Sequence, residues 1–188
     1  MNAIILAGGK ATRLNGMNKG LILYNNKPFI EIIIDKISPF VKNIIISANS
    51  HEYDYLNYPV LSDVVKDIGP LGGIATCLEF SDEEKNLIIS CDTPFITTDI
   101  IQHLINHQHK ADIVVPVVNN NIHPLCAIYS KNILPVAYQQ ISNKNYTIKD
   151  LLKKTNSFYL PLPQSDERYL ININNFDDLE LLKQISQN

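Results

Sequence analysis

Met1–Leu21, MNAIILAGGKATRLNGMNKGL, is the stretch that decides the reading of this chain. Ala3–Leu6 is a short apolar run, long enough for one buried strand. The run stops at Ala7-Gly8-Gly9, and a loop follows that carries Gly8, Gly9, Gly16 and Gly20 with Lys10, Arg13 and Lys19. Glycine lets backbone N–H groups turn toward one point and approach a ligand closely. Such a concavity beside fixed cations is a phosphate site. The chain has seven glycines, and the other three are Gly69, Gly72 and Gly73. Elsewhere the turns are made with Asn, Asp, Ser and Pro. Tight turns with chance lysines are the plainer alternative, but they do not explain why glycines and cations coincide right after a strand. The GxxxxGK[ST] and GxGxxG spacings are both absent.

The chain has 188 residues, 45% of them hydrophobic and 19% charged, which fits one compact domain, 1–188, rather than disorder. A net charge of −3 without a basic block argues against a nucleic-acid partner. No apolar run approaches the roughly 20 residues that span a bilayer. The N-terminus runs into a strand without a signal peptide's features, so a cytoplasmic protein is expected. Cys77, Cys91 and Cys126 are far apart and odd in number, and read as buried free thiols.

Short apolar runs alternate with helical periodicity, which predicts βαβ units around a mainly parallel sheet. Leu21–Tyr24 reads as a short strand, Asn25-Asn26 as a turn, and Pro28 as the first residue of a helix buried through Ile30, Ile33, Ile34 and Ile37. Lys42–Ser47 is the second buried strand, and Asn49 just past it suits a helix cap, a ligand contact or both. Tyr58–Leu61 is a third strand, with Asp63 directly after it and a helix opening at Gly69-Pro70-Leu71-Gly72-Gly73. These glycines would let a loop lie close to a flat ligand. Asn86–Ser90 is the fourth strand. Asp92 just past it is costly to hold charged unless paired or bound to a cation, so it reads as a Mg²⁺ ligand, with an Asp-Thr-Pro turn as the plainer alternative. Thr97 or Thr98 caps the next helix, and His103 and His107 on it read as surface residues. Ala111–Val118 is a strand, Ile122–Tyr129 returns antiparallel, Ser157–Leu160 and Tyr169–Ile173 are further strands, and Asn175 caps a last helix. The expected architecture is a Rossmann-like three-layer α/β/α sandwich with an antiparallel strand.

The order of LAGGKATRLNGMNKGL, SDVVKDIGPLGGI, SCDTPFI, HPLCAIY and NINNFDDL resembles that of the molybdenum cofactor guanylyltransferases, the MobA family. LAGG with Arg and Lys marks the wider nucleotidyltransferases that activate sugars and cofactors; GPLGG, HPL and the terminal NxN narrow it. The resemblance implies that Leu6, Ala7, Gly8 and Gly9 touch the nucleotide, that Lys19 binds phosphate, that Asp63 contacts the guanosine, and that Asp92 holds Mg²⁺ and phosphates. It implies an Asn contact that falls to Asn49 or is displaced by Ser47. His123, Asn172 and Asn174 fall in the region of the pterin substrate. Leu14-Asn15 stands where the family has Met-Gly, Asn18 where an Asp is frequent, and Asn175-Phe176 where Thr-Pro is frequent. The implied reaction joins GTP to molybdenum-bound molybdopterin with loss of pyrophosphate, with Lys19, Asp92 and Arg13 as the catalytic set. Proteins that deliver the pterin and molybdoenzymes that receive the product are the implied partners. A cytidylyltransferase for the same pterin, a sugar-phosphate nucleotidyltransferase and a nucleotide-binding accessory protein are the competing readings.

Overall fold

The computed structural model describes residues 1–8, 18–174 and Asp178. Gly9, Lys10, Arg13, Gly16, Asn175 and, apart from Asp178, the helix expected after it lie outside the described residues. The elements run β1 (Asn2–Leu6), β2 (Leu23–Tyr24), β3 (Lys27–Pro28), α1 (Phe29–Ile37), β4 (Ile44–Ser47), β5 (Val60–Leu61), α2 (Pro70–Phe80) and β6 (Lys85–Ser90). They continue with α3 (Thr98–Asn106), β7 (Ile113–Val118), β8 (Asn121–Ile122), β9 (Cys126–Ser130), α4 (Leu134–Ser142), α5 (Ile148–Lys154) and β10 (Ser157–Pro161).

The main sheet has the order β10-β7-β9-β6-β1-β4-β5, with β8 paired to β7. β1 pairs in parallel with both β4 and β6, while β9 is antiparallel to β6 and β7. Side chains alternate across a strand, so each central strand feeds two cores. Ile5, Ile46 and Ile89 meet Ile33 of α1 and Leu104 of α3 on one face. Ile4, Ile45 and Ile88 meet Ile74 of α2, Ala137 of α4 and Leu151 of α5 on the other. The result is the three-layer arrangement expected of apolar strands covered on both sides.

Asparagine supplies the tight turns. Asn25 and Asn26 have φ of 50° and 63°, and Asn119 and Asn120 have 48° and 64°, the left-handed pair a two-residue hairpin demands. Four expectations change. Lys19–Leu21 is a single 3₁₀ turn, which leaves β2 two residues long. Pro28 pairs with Leu23 in the hairpin, with ψ of 144°, so α1 begins at Phe29. The strand expected over Ile122–Tyr129 breaks at His123–Leu125, where Pro124 has no N–H for the ladder and the register against β7 shifts from Val117–Ile122 to Val114–Ile128. Tyr169–Ile173 is not a strand: Gln164–Tyr169 is 3₁₀, and the chain beyond it lies across the sheet's edge, with Leu170 and Ile173 buried.

Candidate functional site

Parallel pairing sets three strand ends level. Leu6 is in register with Ser47 of β4 and Ser90 of β6. Gly8, Asn49 and Asp92 each stand two residues beyond these partners, so all three emerge at the carboxyl edge, where open α/β sheets take ligands. The ladder continues one step past the strands. The Cys91 N–H donates to the Leu6 carbonyl at 3.0 Å and the Ala7 N–H to the Ser47 carbonyl at 2.9 Å. Leu6 and Ala7 are therefore buried with these groups committed, whereas Gly8 is exposed.

The first cluster forms on Lys19. Its Nζ donates to Asp92 Oδ2 at 3.0 Å and to Asn174 Oδ1 at 2.7 Å. The Asp92 side chain is 13% exposed and that of Lys19 26%. The loop that carries Asp92 is tied on each side. The Thr93 hydroxyl donates to the Ser90 carbonyl at 2.8 Å, Lys36 of α1 donates to the Pro94 carbonyl at 2.8 Å, and the Ile173 N–H donates to the Asp92 carbonyl at 2.7 Å. Burial lowers the proton affinity of Lys36 and pushes the neighbouring Cys91 thiol up to about 12, so that thiol stays neutral. Asp92 Oδ1 is buried and has no hydrogen-bond partner among the described residues. A buried carboxylate oxygen left unanswered is costly. It fits a cation, and a hard divalent ion takes just such an oxygen ligand.

The second cluster forms on Asp63, just beyond β5. The Ser47 hydroxyl donates to Asp63 Oδ1 at 3.1 Å. The Asp63 N–H donates to Asn49 Oδ1 at 3.1 Å, and the Asn49 amide donates to Asp63 Oδ2 at 3.5 Å. Asn49 and Ser47 thus both serve Asp63, and neither caps a helix. The glycines of α2 make this possible by their close packing. A Cβ on Gly73 would overlap Ser47 Oγ and come within 3.1 Å of Asp63 Oδ1, and one on Gly72 would come within 2.7 Å of the Val65 carbonyl. Gly69, at φ of 72°, makes the turn into the helix.

The three residues read as a pterin-side group have different surroundings. Asn174 joins Lys19, with its own N–H donating to Asp178 Oδ2 at 2.7 Å. Asn172 is exposed, and its carbonyl accepts from the Asn174 amide at 3.3 Å. His123 sits in the break between β8 and β9. Desolvation lowers its proton affinity, opposed by Glu167 and the Leu170 backbone, and its Nε2 is buried without a partner among the described residues. The His103 and His107 rings lie 4.6 Å apart at a tilt of 57° at the end of α3, and no group of three or more metal-ligating side chains forms among the described residues. The three cysteines are buried and free. No helix among the described residues is long and apolar enough to cross a membrane. Sequence reasoning passed over Tyr53, Glu52 and Lys36, which hold the site's loops; lysine and tyrosine in helical segments carry no local signal of that role.

The family described as MobA-like NTP transferase domain matches residues 3–158. A Flavobacterium johnsoniae protein named "probable molybdenum cofactor guanylyltransferase" is 44% identical over 95% of this chain and 94% of its own length. The chain belongs to the MobA-like NTP transferase family. The Vibrio vulnificus molybdenum cofactor guanylyltransferase is 32% identical, with 97% of this chain and 94% of that protein aligned. The crystal structure of molybdopterin-guanine dinucleotide biosynthesis protein A from Archaeoglobus fulgidus superposes with a TM-score of 0.82 at 24% identity, covering 100% of this chain and 99% of that one. MobA-like nucleotidyltransferases generally use a divalent metal, and the unanswered Asp92 oxygen suits one.

Two outcomes follow from this geometry. Gly73→Ala forces Ser47 off Asp63 and lowers stability by about 1–3 kcal/mol in urea denaturation, with GTP affinity falling in calorimetry; unchanged values for both would contradict the packing argument. The His123 imidazole in the folded chain binds its proton below the ordinary value of 6.5. The unfolded chain therefore protonates first, and stability falls as pH drops from about 6.5. His123→Gln flattens that part of the stability–pH curve, and an unaltered slope would exclude His123 as its source.

Proposed function

We propose that residues 1–188 act as one nucleotidyltransferase that moves GMP from GTP to molybdenum-bound molybdopterin, releasing pyrophosphate, in the cytoplasm. The observation that carries the reading is Lys19 held between Asp92 and Asn174 at the carboxyl edge, in a chain 44% identical to a relative named for this activity. The shared name of the curated relatives favours GTP and the pterin over CTP or a sugar phosphate. A protein that delivers the pterin and molybdoenzymes that take the product are the partners such a reaction needs.

A terminal phosphate oxygen of the pterin attacks the α-phosphorus of GTP in line. The bond from that phosphorus to the α,β-bridging oxygen breaks, and pyrophosphate carries the electron pair away. No protein nucleophile is needed, so the residues act by positioning and by charge. Gly8 and Gly9 offer amides to the phosphates, and Leu6 and Ala7 shape the wall beneath them. Asp63, held by Ser47 and Asn49, takes the guanosine. Lys19 and Arg13 offset the charge that develops on pyrophosphate. Asp92 would hold Mg²⁺, which when bound would supply further neutralisation of phosphate charge. His123, Asn172 and Asn174 border the pterin, and Asn174 also orients Lys19.

Pyrophosphate release, measured with each of the four NTPs with and without molybdopterin, tests this. GTP with the pterin gives turnover, and Asp92→Asn lowers it by about 10²–10³-fold while GTP still binds. Undiminished turnover in Asp92→Asn under Mg²⁺, or a preference for CTP, would overturn the assignment.

A further inference from the structure

The connection that follows β4 reaches both clusters. Asn49 holds Asp63, and the next turn, the 3₁₀ segment His51–Leu56, faces the turn that carries Lys19. Tyr53 is fully buried, and its hydroxyl donates to Asn18 Oδ1. The Asn18 amide donates in turn to Glu52 Oε2 at 3.1 Å, and the Ser50 hydroxyl donates to the same oxygen at 3.0 Å. Gly20 rests directly on the phenol: a Cβ there would overlap the Tyr53 oxygen. Asn18 opens the Lys19 turn, and its carbonyl accepts from the Leu21 N–H at 3.0 Å.

Both ends of the Asn18 side chain are therefore read. Its oxygen needs a donor and meets Tyr53; its NH₂ needs an acceptor and meets Glu52. Burial pushes the Tyr53 hydroxyl far above its ordinary range, so it remains a donor. A carboxylate in place of the amide would keep the first bond and set a second negative charge against Glu52.

We propose that Tyr53, Asn18 and Glu52 form a clamp that fixes the Lys19 turn and sets where its ammonium stands between Asp92 and Asn174. They are positioning residues, and Asn18 and Glu52 are a matched pair. The clamp rests on the guanylyl-transfer reading for its effect on turnover. Its geometry ties the nucleoside side of the site to the phosphate side through one stretch of chain, Asn49–Tyr53.

A double-variant cycle on the full chain tests it, with Asn18→Asp, Glu52→Gln and the two together. Pyrophosphate release gives kcat and KM for GTP, calorimetry gives GTP affinity, and thermal melts give Tm. Contacting residues couple strongly, so Asn18→Asp lowers kcat/KM by about ten-fold and Glu52→Gln stays within about two-fold of the parent. The double variant regains most of the loss, because the amide introduced by Glu52→Gln donates to the carboxylate introduced by Asn18→Asp. Glu52 is exposed, so the gap between Asn18→Asp and the double variant narrows as salt rises. Melting temperatures stay within a few degrees of one another. Asn18→Asp at parental activity, a double variant no better than Asn18→Asp, or losses that follow Tm would each overturn the clamp. An inactive parent chain would count against the functional reading instead. GTP affinity then decides the clamp, by the same pattern across the four proteins.

Discussion

The ammonium of Lys19 is divided between Asp92 Oδ2 and Asn174 Oδ1, and the other Asp92 oxygen is buried and unanswered. The loops around Asp92 and the turn of Lys19 serve that arrangement. A cation with one ionic and one neutral partner stays available to phosphate oxygens, because neither partner saturates its three donors. A carboxylate with a spare buried oxygen is a poor solution for stability. It is a sensible one where a divalent ion and phosphates are to meet.

The fold delivers these groups from three distant parts of the chain. Asp92 follows β6, Lys19 comes from the turn after the first loop, and Asn174 arrives 155 residues after Lys19 along the segment that crosses the sheet's edge. The in-register pairing of β1 with β4 and β6 fixes the level at which Gly8, Asn49 and Asp92 leave the sheet. A one-residue slip in either pairing would turn the strands' alternate side chains to the wrong face. The two apolar cores therefore fix the site's geometry as well as the fold.

Much of this was legible in the residues. Ala3–Leu6, Ile44–Ser47 and Leu87–Ser90 are apolar on both faces, which marks central parallel strands. Gly8 past the first, and the polar Asn49 and Asp92 past the other two, mark the ligand edge. The Asn-Asn turns and the Pro70 helix start also carry local signals. Tyr169–Ile173 misled because its apolar residues look like a strand, whereas two of them anchor a crossing segment and, among the described residues, no neighbouring strand pairs with it. Gly72 and Gly73 signal close approach without saying of what, and the neighbours they admit within the chain are Val65, Ser47 and Asp63. The contact of Asn174 with Lys19 was not legible, since it is set by tertiary structure. Tyr53 gave no sign at all, because a buried hydroxyl that tethers a turn is written no differently from any core tyrosine.

Comparative binding of GTP and guanosine to the parent chain and to Lys19→Ala, by calorimetry with Mg²⁺ present, tests the central claim most directly. The parent prefers GTP strongly, and Lys19→Ala loses most of that preference while guanosine binds as before. Equal preference for GTP in both proteins would show that the triphosphate does not lie against Lys19 and Asp92.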